Sequence, residues 1–292
     1  MKPAAFDYIR AASVAEAVAA LAESDSSGKV LAGGQSLVPL LSMRLARPSV
    51  LVDINKIPGL DHIRRDGDML VIGALARQET VLRSPLVHEL APLLPAALRH
   101  VGHQAIRNRG TVAGSIAHAD PAAELPAVSR ALDAQFVVRG PGGTRTVAAA
   151  DFFHGYLTTA LEPEEILIEV RLPVQPPGTQ IAVQELARRS GDFAIVAVFT
   201  ALRLDDDVIT AARLAVAGTN PEPLRASAAE AVLVGNTITG ALIAEAAAAV
   251  SAATAPADDI HAEAAYRRRM AGLLTRRALA TAAGTITKGT AA

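Results

Sequence analysis

The sequence predicts a mixed α/β and α+β fold in two parts of different architecture. Short apolar segments alternate with helical ones over residues 6–53, a pattern typical of a small α/β unit. Beyond residue 178, three long apolar segments come first and three helical ones follow, an order typical of an α+β layer. Between them, Gln175-Pro176-Pro177-Gly178 ends any regular element and is the best linker candidate.

The first part is predicted to contain strands, hairpins and short helices. Ser13 and Glu16 form a capping box that opens a helix, and Asp66-Gly67 is a strong hairpin signal. Prolines at 85, 92 and 95 divide residues 80–100 into two short helices. The other expected elements are strands at 6–9, 29–32 (a buried one), 49–53 and 166–172, a helix at 122–132, and a second hairpin across 140–143.

The second part is predicted to be a three-stranded antiparallel sheet backed by helices. We expect its strands at 180–187, 195–204 and 208–216, and its helices at 223–234, 240–253 and 259–283. The last helix carries five arginines, which we interpret as a solvated face, with a subunit contact as the sharper alternative. They are Arg267, Arg268, Arg269, Arg276 and Arg277.

Composition excludes several classes of function. The chain has 292 residues, 51% apolar and 20% charged, with a net charge of −1 and only 3% aromatic residues. Nucleic acid is therefore not an expected partner, because neither a basic patch nor stacking faces are evident. The chain has no cysteine, so it cannot ligate an iron–sulfur cluster or use a thiolate nucleophile. No metal-ligand spacing or membrane-spanning stretch is found, and we expect a cytoplasmic protein.

The first candidate site is a glycine turn that follows an apolar strand. Glycines there allow the backbone to adopt positive φ and to approach an anionic ligand with its N–H groups. Ser36 is expected to cap a helix over 37–44, whose N-terminus adds partial positive charge. The pattern is suited to a phosphate, but taken alone this segment favours an ordinary glycine turn between a strand and a helix. The residues are Lys29, Val30, Leu31, Ala32, Gly33, Gly34, Gln35 and Ser36.

A second segment, residues 107–121, again combines hydroxyls, glycine and small side chains. Two such loops suggest one ligand with two ends: a pyrophosphate on the first loop, and a long flat portion along the second. Asp120 and Glu124 could accept hydrogen bonds from ribose or ribityl hydroxyls. Each could instead cap the helix that follows, and Asp120 before Pro121 is also a common turn signal. No G-x-G-x-x-G follows a strand, so a Rossmann-type nicotinamide site is disfavoured.

Four ordered motifs resemble the FAD-binding subunit of the molybdenum hydroxylases. They are AGGQSL at 32–37, RNRGTVAGSIAHADPAAELP at 107–126, RRSGDFAIVAV at 188–198 and YRRRMAGLLTRRAL at 266–279. The resemblance implies a two-subdomain FAD-binding domain of the PCMH/vanillyl-alcohol-oxidase-like type at 1–177, with subdomains at about 1–55 and 56–177. It further implies a C-terminal α+β domain of the CO dehydrogenase flavoprotein type at 178–292.

The resemblance also implies further cofactor contacts. The second loop contributes Thr111, Val112, Ala113, Gly114 and Ser115, with Ala113-Gly114 standing where the family usually has two glycines. A methyl group at residue 113 is compatible with an ordinary negative φ only. Leu161 lies at the position where relatives pack an aliphatic side chain on a ring of FAD. Phe193 lies where relatives place an aromatic side chain near the isoalloxazine. For both residues, packing in the core is the alternative. His118 is interpreted as a packed or hydrogen-bonded histidine near the flavin.

The implied role is electron transfer within a heterotrimer. A large molybdopterin subunit would hydroxylate the substrate, and a small subunit with two [2Fe-2S] clusters would deliver electrons to FAD on this chain. The implied assembly is a dimer of heterotrimers. Such a chain needs no catalytic acid, base or nucleophile, because the isoalloxazine carries the redox chemistry. Arg107 and Arg109 are candidates for docking an acidic partner. The alternatives are a free-standing FAD-dependent oxidoreductase with its own substrate and a non-redox nucleotide-binding protein.

Overall fold

The computed structural model describes residues 2–284 and begins with a three-stranded parallel sheet in the order β1-β3-β2. The predicted capping box is confirmed: the Ser13 side chain accepts from the Glu16 N–H, and the Glu16 carboxylate accepts from the Ala12 N–H at 2.7 Å. The elements of this unit are β1 (Asp7–Arg10), α1 (Val14–Ala22), β2 (Gly28–Leu31), α2 (Leu37–Ser42) and β3 (Val50–Asp53).

The strand predicted as buried, β2, is instead an edge strand. Among the strands of residues 2–284 it pairs with β3 alone, and of its four residues Gly28 alone is buried. The central strand β3 is buried at all four positions. The apolar run of β2 was misleading because part of its surface faces a cleft rather than the core.

A five-stranded antiparallel sheet follows, in the order β4-β5-β8-β6-β7. Both predicted hairpins are present, as β4-β5 and β6-β7. Its elements and the helices that interrupt it are β4 (Ile63–Asp66), β5 (Met69–Gly73), α3 (Gln78–Arg83), α4 (Pro85–Leu90), α5 (Leu93–Leu98), α6 (Gln104–Arg107), α7 (Val112–His118), α8 (Glu124–Ala131), β6 (Gln135–Gly140), β7 (Gly143–Ala148) and β8 (Ile166–Pro173).

The prediction of two short helices over 80–100 is wrong, because three form there. Pro85 is the first residue of α4 and Pro92 precedes α5, so each of these prolines starts a helix. Pro95 lies within the first turn of α5, where its missing N–H costs nothing.

The C-terminal part contains a four-stranded antiparallel sheet in the order β12-β11-β10-β9. The three predicted long strands are present; the fourth, with two residues, is too short to leave a pattern. Because Leu224 and Arg225 form it, the helix expected from 223 begins at Ser227. The elements are β9 (Gln180–Leu186), β10 (Val196–Asp205), β11 (Val208–Ala217), β12 (Leu224–Arg225), α9 (Ser227–Leu233), α10 (Gly240–Ala253) and α11 (Ala264–Ala282).

The helix α11 starts five residues later than predicted, because Asp259 forms a turn by accepting from the N–H groups of His261 and Ala262. The expected solvated arginine face is wrong for Arg267, which is 6% exposed. Its guanidinium donates to Gly218 O at 3.0 Å and to Asp259 at 2.6 Å, and also to Ile195 O. The other four arginines of this face are exposed. Residues 285–292 of the predicted C-terminal domain lie outside the described residues.

The C-terminal sheet is buried on both faces. On β10, Ala197 and Phe199 join the core of the first part, while Val196 and Val198 join a second core formed with α9, α10 and α11. This alternation is the period of two expected of a strand. The sheet therefore connects the helices to the first part and fixes the β9-β10 connection beside it. No helix within residues 2–284 is both long and apolar enough to cross a membrane.

Candidate functional site

A cleft of about 720 Å³ lies between the parallel sheet, α7 and the β9-β10 connection. This volume is typical of small-molecule and cofactor sites, which span about 300–1,000 Å³. Most predicted site residues line it. They are Lys29, Val30, Ala32, Gly33, Gly34, Gln35, Ser36, Thr111, Ala113, Gly114, Ser115, Asp120, Glu124, Leu161 and Phe193.

Two of the predicted residues, Leu31 and Val112, lie off the cleft wall. Leu31 is adjacent to Val30 on β2, and successive side chains of a strand point to opposite faces. Val112 is the first residue of α7, and its side chain is buried in the core. The Leu31 carbonyl accepts from the Ile54 N–H and the Val112 N–H donates to the Ala76 carbonyl, so these backbone groups are also paired within the protein.

The two glycines of the first loop have different roles. Gly34 has φ +73°, the left-handed conformation that glycine accommodates without strain. Gly33 does not, so the expectation of positive φ holds for Gly34 alone. At Gly33 a Cβ would lie 2.7 Å from the Gly110 Cα and closer still to the Arg109 carbonyl oxygen. The missing side chain therefore allows the first loop to touch the backbone of the second.

The first loop presents unpaired donors to the cleft. Within residues 2–284, the backbone N–H groups of Gly33, Gly34, Gln35 and Ser36 donate no hydrogen bond. Four successive N–H groups on a concave wall form the kind of nest that binds phosphate oxygens. The prediction that Ser36 caps the following helix is wrong, because its side chain makes no capping hydrogen bond and its backbone is already helical. Its hydroxyl is therefore available on the wall.

The second loop is helical where small residues suggested an irregular loop. Thr111 caps α7, its Oγ1 accepting from the Gly114 N–H at 2.9 Å. A Cβ at Gly114 would approach that Oγ1 to 2.7 Å, so glycine there preserves the cap. Ala113 is buried within the helix and has no positive φ, so its methyl group is accommodated.

The two predicted carboxylates lie in different environments. Asp120 Oδ1 accepts from the Ala122 N–H at 2.9 Å, so it stabilises a turn while it also lines the cleft. Glu124 is 4% exposed at the start of α8. Burial, followed by the nearby charge of Glu185, raises the pKa of Glu124 to about 8. At neutral pH Glu124 therefore presents a neutral carboxyl group to the cleft.

Behind Glu124 lies a histidine–carboxylate pair that joins the two parts of the chain. His100 Nδ1 lies 3.7 Å from Glu185 Oε1, on β9. The neighbouring Glu185 carboxylate raises the pKa of His100. The second Glu185 oxygen is buried without a partner among the described residues. The protonation state of the cleft wall therefore depends on a residue of the C-terminal sheet.

The remaining predicted residues lie at the cleft margin. Phe193 is 59% exposed, so core packing does not account for it. Leu161 is half-buried and packs against the main core, so both readings of this residue stay open. His118 is half-buried on the wall, and burial lowers its pKa. Arg107 is paired with Glu79 at 2.9 Å, which leaves Arg109 as the exposed arginine of the predicted docking pair.

Sequence reasoning missed several residues of the wall. They come from segments far apart in the chain and show no common sequence pattern. The exception is the pair Gly191-Asp192, because a glycine next to the aromatic Phe193 indicates a turn at the predicted site. The missed residues include Gln78, Gly102, Leu157, Thr158, Thr159, Gly191 and Asp192.

Comparison with known families identifies this architecture. Residues 4–175 match the FAD-binding domain in molybdopterin dehydrogenase. The chain belongs to this family. Residues 181–282 match the C-terminal domain of the CO dehydrogenase flavoprotein, so the two matches cover the two parts of the fold.

Relatives in this family match over almost their full length. The carbon monoxide dehydrogenase medium chain of Hydrogenophaga pseudoflava is 39% identical over 279 residues, covering 96% of this chain and 97% of the relative. The alpha subunit of the 6-hydroxypseudooxynicotine dehydrogenase complex of Paenarthrobacter nicotinovorans is also 39% identical, over 97% of this chain and 96% of the relative.

Solved structures of the family share the fold. Carbon monoxide dehydrogenase from Hydrogenophaga pseudoflava matches with a TM-score of 0.94 at 41% identity, covering 97% of this chain and 98% of the other. Quinoline 2-oxidoreductase from Pseudomonas putida 86 matches with a TM-score of 0.93 at 37% identity, covering 98% and 99%. The family thus includes complexes that act on chemically different substrates.

Proposed function

We propose that this chain is the FAD-binding electron-transfer subunit of a heterotrimeric molybdenum hydroxylase. A large molybdopterin subunit would oxidise the substrate, and a small subunit with [2Fe-2S] clusters would pass the electrons through FAD to an external acceptor. The observation that carries the proposal is the row of four backbone N–H groups, unpaired among the described residues, in a loop that lines the cleft. A dimer of heterotrimers and a cytoplasmic location are the assembly and place predicted for the complex.

The residues on the cleft wall fit FAD. The N–H groups of residues 33–36 would hold the pyrophosphate, with Lys29 at the margin as a cation. The backbone of residues 111–115 would lie along the extended part of the cofactor, while Asp120 and Glu124 face its hydroxyl groups. Leu161 and Phe193 would contact its rings.

FAD, when bound, supplies the redox chemistry of this subunit. The chain itself binds and orients it: the N–H nest places the phosphates, and the capped helix α7 places the second loop. The neutral Glu124 carboxyl can donate a hydrogen bond as well as accept one, and it adds no negative charge beside an anionic ligand.

The visible spectrum of the purified chain tests the proposal. Apoprotein incubated with FAD and desalted should retain a flavin spectrum at about one FAD per chain, and should show no substrate turnover alone. Added to the large and small subunits, it should restore acceptor reduction. A chain that retains no flavin would refute FAD binding, and a yellow chain with robust turnover alone would instead indicate a free-standing oxidoreductase.

A further inference from the structure

The contact between the two cofactor loops is braced by side chains that lie outside the cleft. Arg77 is half-buried, at the end of the segment before α3. Its Nη1 donates to the Arg109 carbonyl at 2.6 Å, and its Nη2 donates to Asn55 Oδ1 at 2.7 Å. One guanidinium thus joins the second loop to a residue that follows β3.

Asn55 connects this guanidinium to the first loop. Its Nδ2 donates to the Ala32 carbonyl at 2.8 Å and to the Leu31 carbonyl at 3.3 Å. Asp53 fixes the amide, because its Oδ1 accepts from Asn55 Nδ2 at 2.6 Å and from the Asn55 N–H at 2.8 Å. The Asn55 orientation is therefore determined, with nitrogen toward the first loop and oxygen toward Arg77.

Asp53 is itself held in place by a residue of β1. The Tyr8 hydroxyl donates to its second oxygen. Burial opposes ionisation, but hydrogen bonds from Tyr8 and Asn55 lower the pKa of Asp53 below its ordinary value. The carboxylate is thus a fixed acceptor at one end of a continuous chain of hydrogen bonds: Tyr8, Asp53, Asn55, Arg77 and the Arg109 carbonyl.

We propose that Arg77 and Asn55 are positioning residues that set the separation of the two loops before FAD binds. Backbone hydrogen bonds already hold the second loop against this segment, as Gln78 N–H donates to Gly110 O at 2.9 Å. The side-chain bridge adds the link to the first loop. A guanidinium is needed because its planar fork reaches two acceptors in fixed directions, which a lysine ammonium does not. The inference rests on the proposed function, since its ligand is FAD.

Titration of apoprotein with FAD tests the brace. In Arg77→Ala the loops lose a preorganised spacing, and we expect the FAD dissociation constant to rise about 10- to 100-fold while the apoprotein remains folded. Arg77→Lys should recover only part of the loss. Arg130→Ala is the matched control, because Arg130 is also half-buried and donates to one backbone carbonyl, Ala149 O, away from the cleft.

A double-mutant cycle separates positioning from general stability. If Arg77 and Asn55 form one brace, Arg77→Ala combined with Asn55→Ala should weaken FAD binding no more than about the worse single variant. Amide exchange of apoprotein should accelerate at Ile54, Gln78 and Val112, whose N–H groups donate to the carbonyls of residues 31, 110 and 76, in either single variant, and not in Arg130→Ala. Wild-type affinity in folded Arg77→Ala, or fully additive losses, would overturn the brace while FAD binding by the wild type stands. Failure of the wild type to bind FAD would overturn the proposed function instead.

Discussion

Gly33→Ala isolates the contact between the two cofactor loops. The added methyl group would lie 2.7 Å from the Gly110 Cα and nearer to the Arg109 carbonyl oxygen, and both are backbone atoms that cannot rotate away. Overpacking of this kind costs about 1–3 kcal/mol. If the loops separate to relieve it, that energy must be recovered when FAD brings them together. Since about 1.4 kcal/mol is a factor of ten, FAD should bind about 5- to 150-fold more weakly.

The control for this substitution is Gly142→Ala. Gly142 has no left-handed φ, and a Cβ there would meet nothing within 4 Å, so the added methyl group should leave FAD binding unchanged. The assay is quenching of flavin fluorescence during titration of apoprotein, with thermal melting of the same samples. Wild-type affinity in Gly33→Ala would refute the argument. A lower melting temperature together with wild-type FAD affinity, measured well below that melting temperature, would also refute it, because the strain would then not act through the loops.

The pKa of Glu124 in the folded chain, about 8, exceeds its ordinary value, so the free energy of unfolding of the apoprotein should fall by on the order of 4 kcal/mol from pH 4.5 to 8. In denaturant melts, the free energy of unfolding of Glu124→Gln should depend less on pH than that of the wild type. An unchanged dependence on pH would contradict this. Arg267→Ala should destabilise the fold by about 1–3 kcal/mol, because the carbonyls of Ile195 and Gly218 lose their donor. Arg268→Ala, at the exposed neighbour, should change the free energy of unfolding by under about 0.5 kcal/mol. Equal losses would be incompatible with a buried Arg267. Thr111→Ala and Thr239→Ala each remove a helix cap that stabilises the fold by about 1 kcal/mol. Only Thr111→Ala should also weaken FAD binding in the titration. Equal FAD affinities of the two variants would argue against a role for the Thr111 cap at the site.

Local signals in the sequence predicted local structure well. The Ser13 cap and the Asp66-Gly67 hairpin depend on a few adjacent residues, and the structure contains both. The positive φ at Gly34 is of the same kind. Most of the predicted site also lines one cleft, because the resemblance carried information about contacts between the two loops that no single motif contains.

Contacts between distant segments could not be predicted. The sequence does not show that Gly33 is needed for the close approach of the Arg109 backbone, because each loop taken alone has the pattern of an independent turn. The charge of Glu185, on a strand of the C-terminal sheet, raises the pKa of Glu124 on α8. The edge position of β2 was missed for a related reason: apolar composition reports burial, but not whether the burying surface is protein or a cofactor.

The charge distribution of the cleft explains why its phosphate ligand would be held by backbone groups. Among the described residues that line it, Lys29 is the only lysine or arginine, whereas Asp120, Glu162, Glu165 and Asp192 contribute carboxylates, that of Glu165 paired with Arg145. Side-chain charge alone would therefore oppose an anionic cofactor. Oriented N–H dipoles at residues 33–36 attract phosphate without a mobile cation. Protonation of buried Glu124 removes one repulsive charge from the same wall. Burial of the Glu124 carboxyl group and exposure of the backbone N–H donors thus both favour binding of an anionic cofactor.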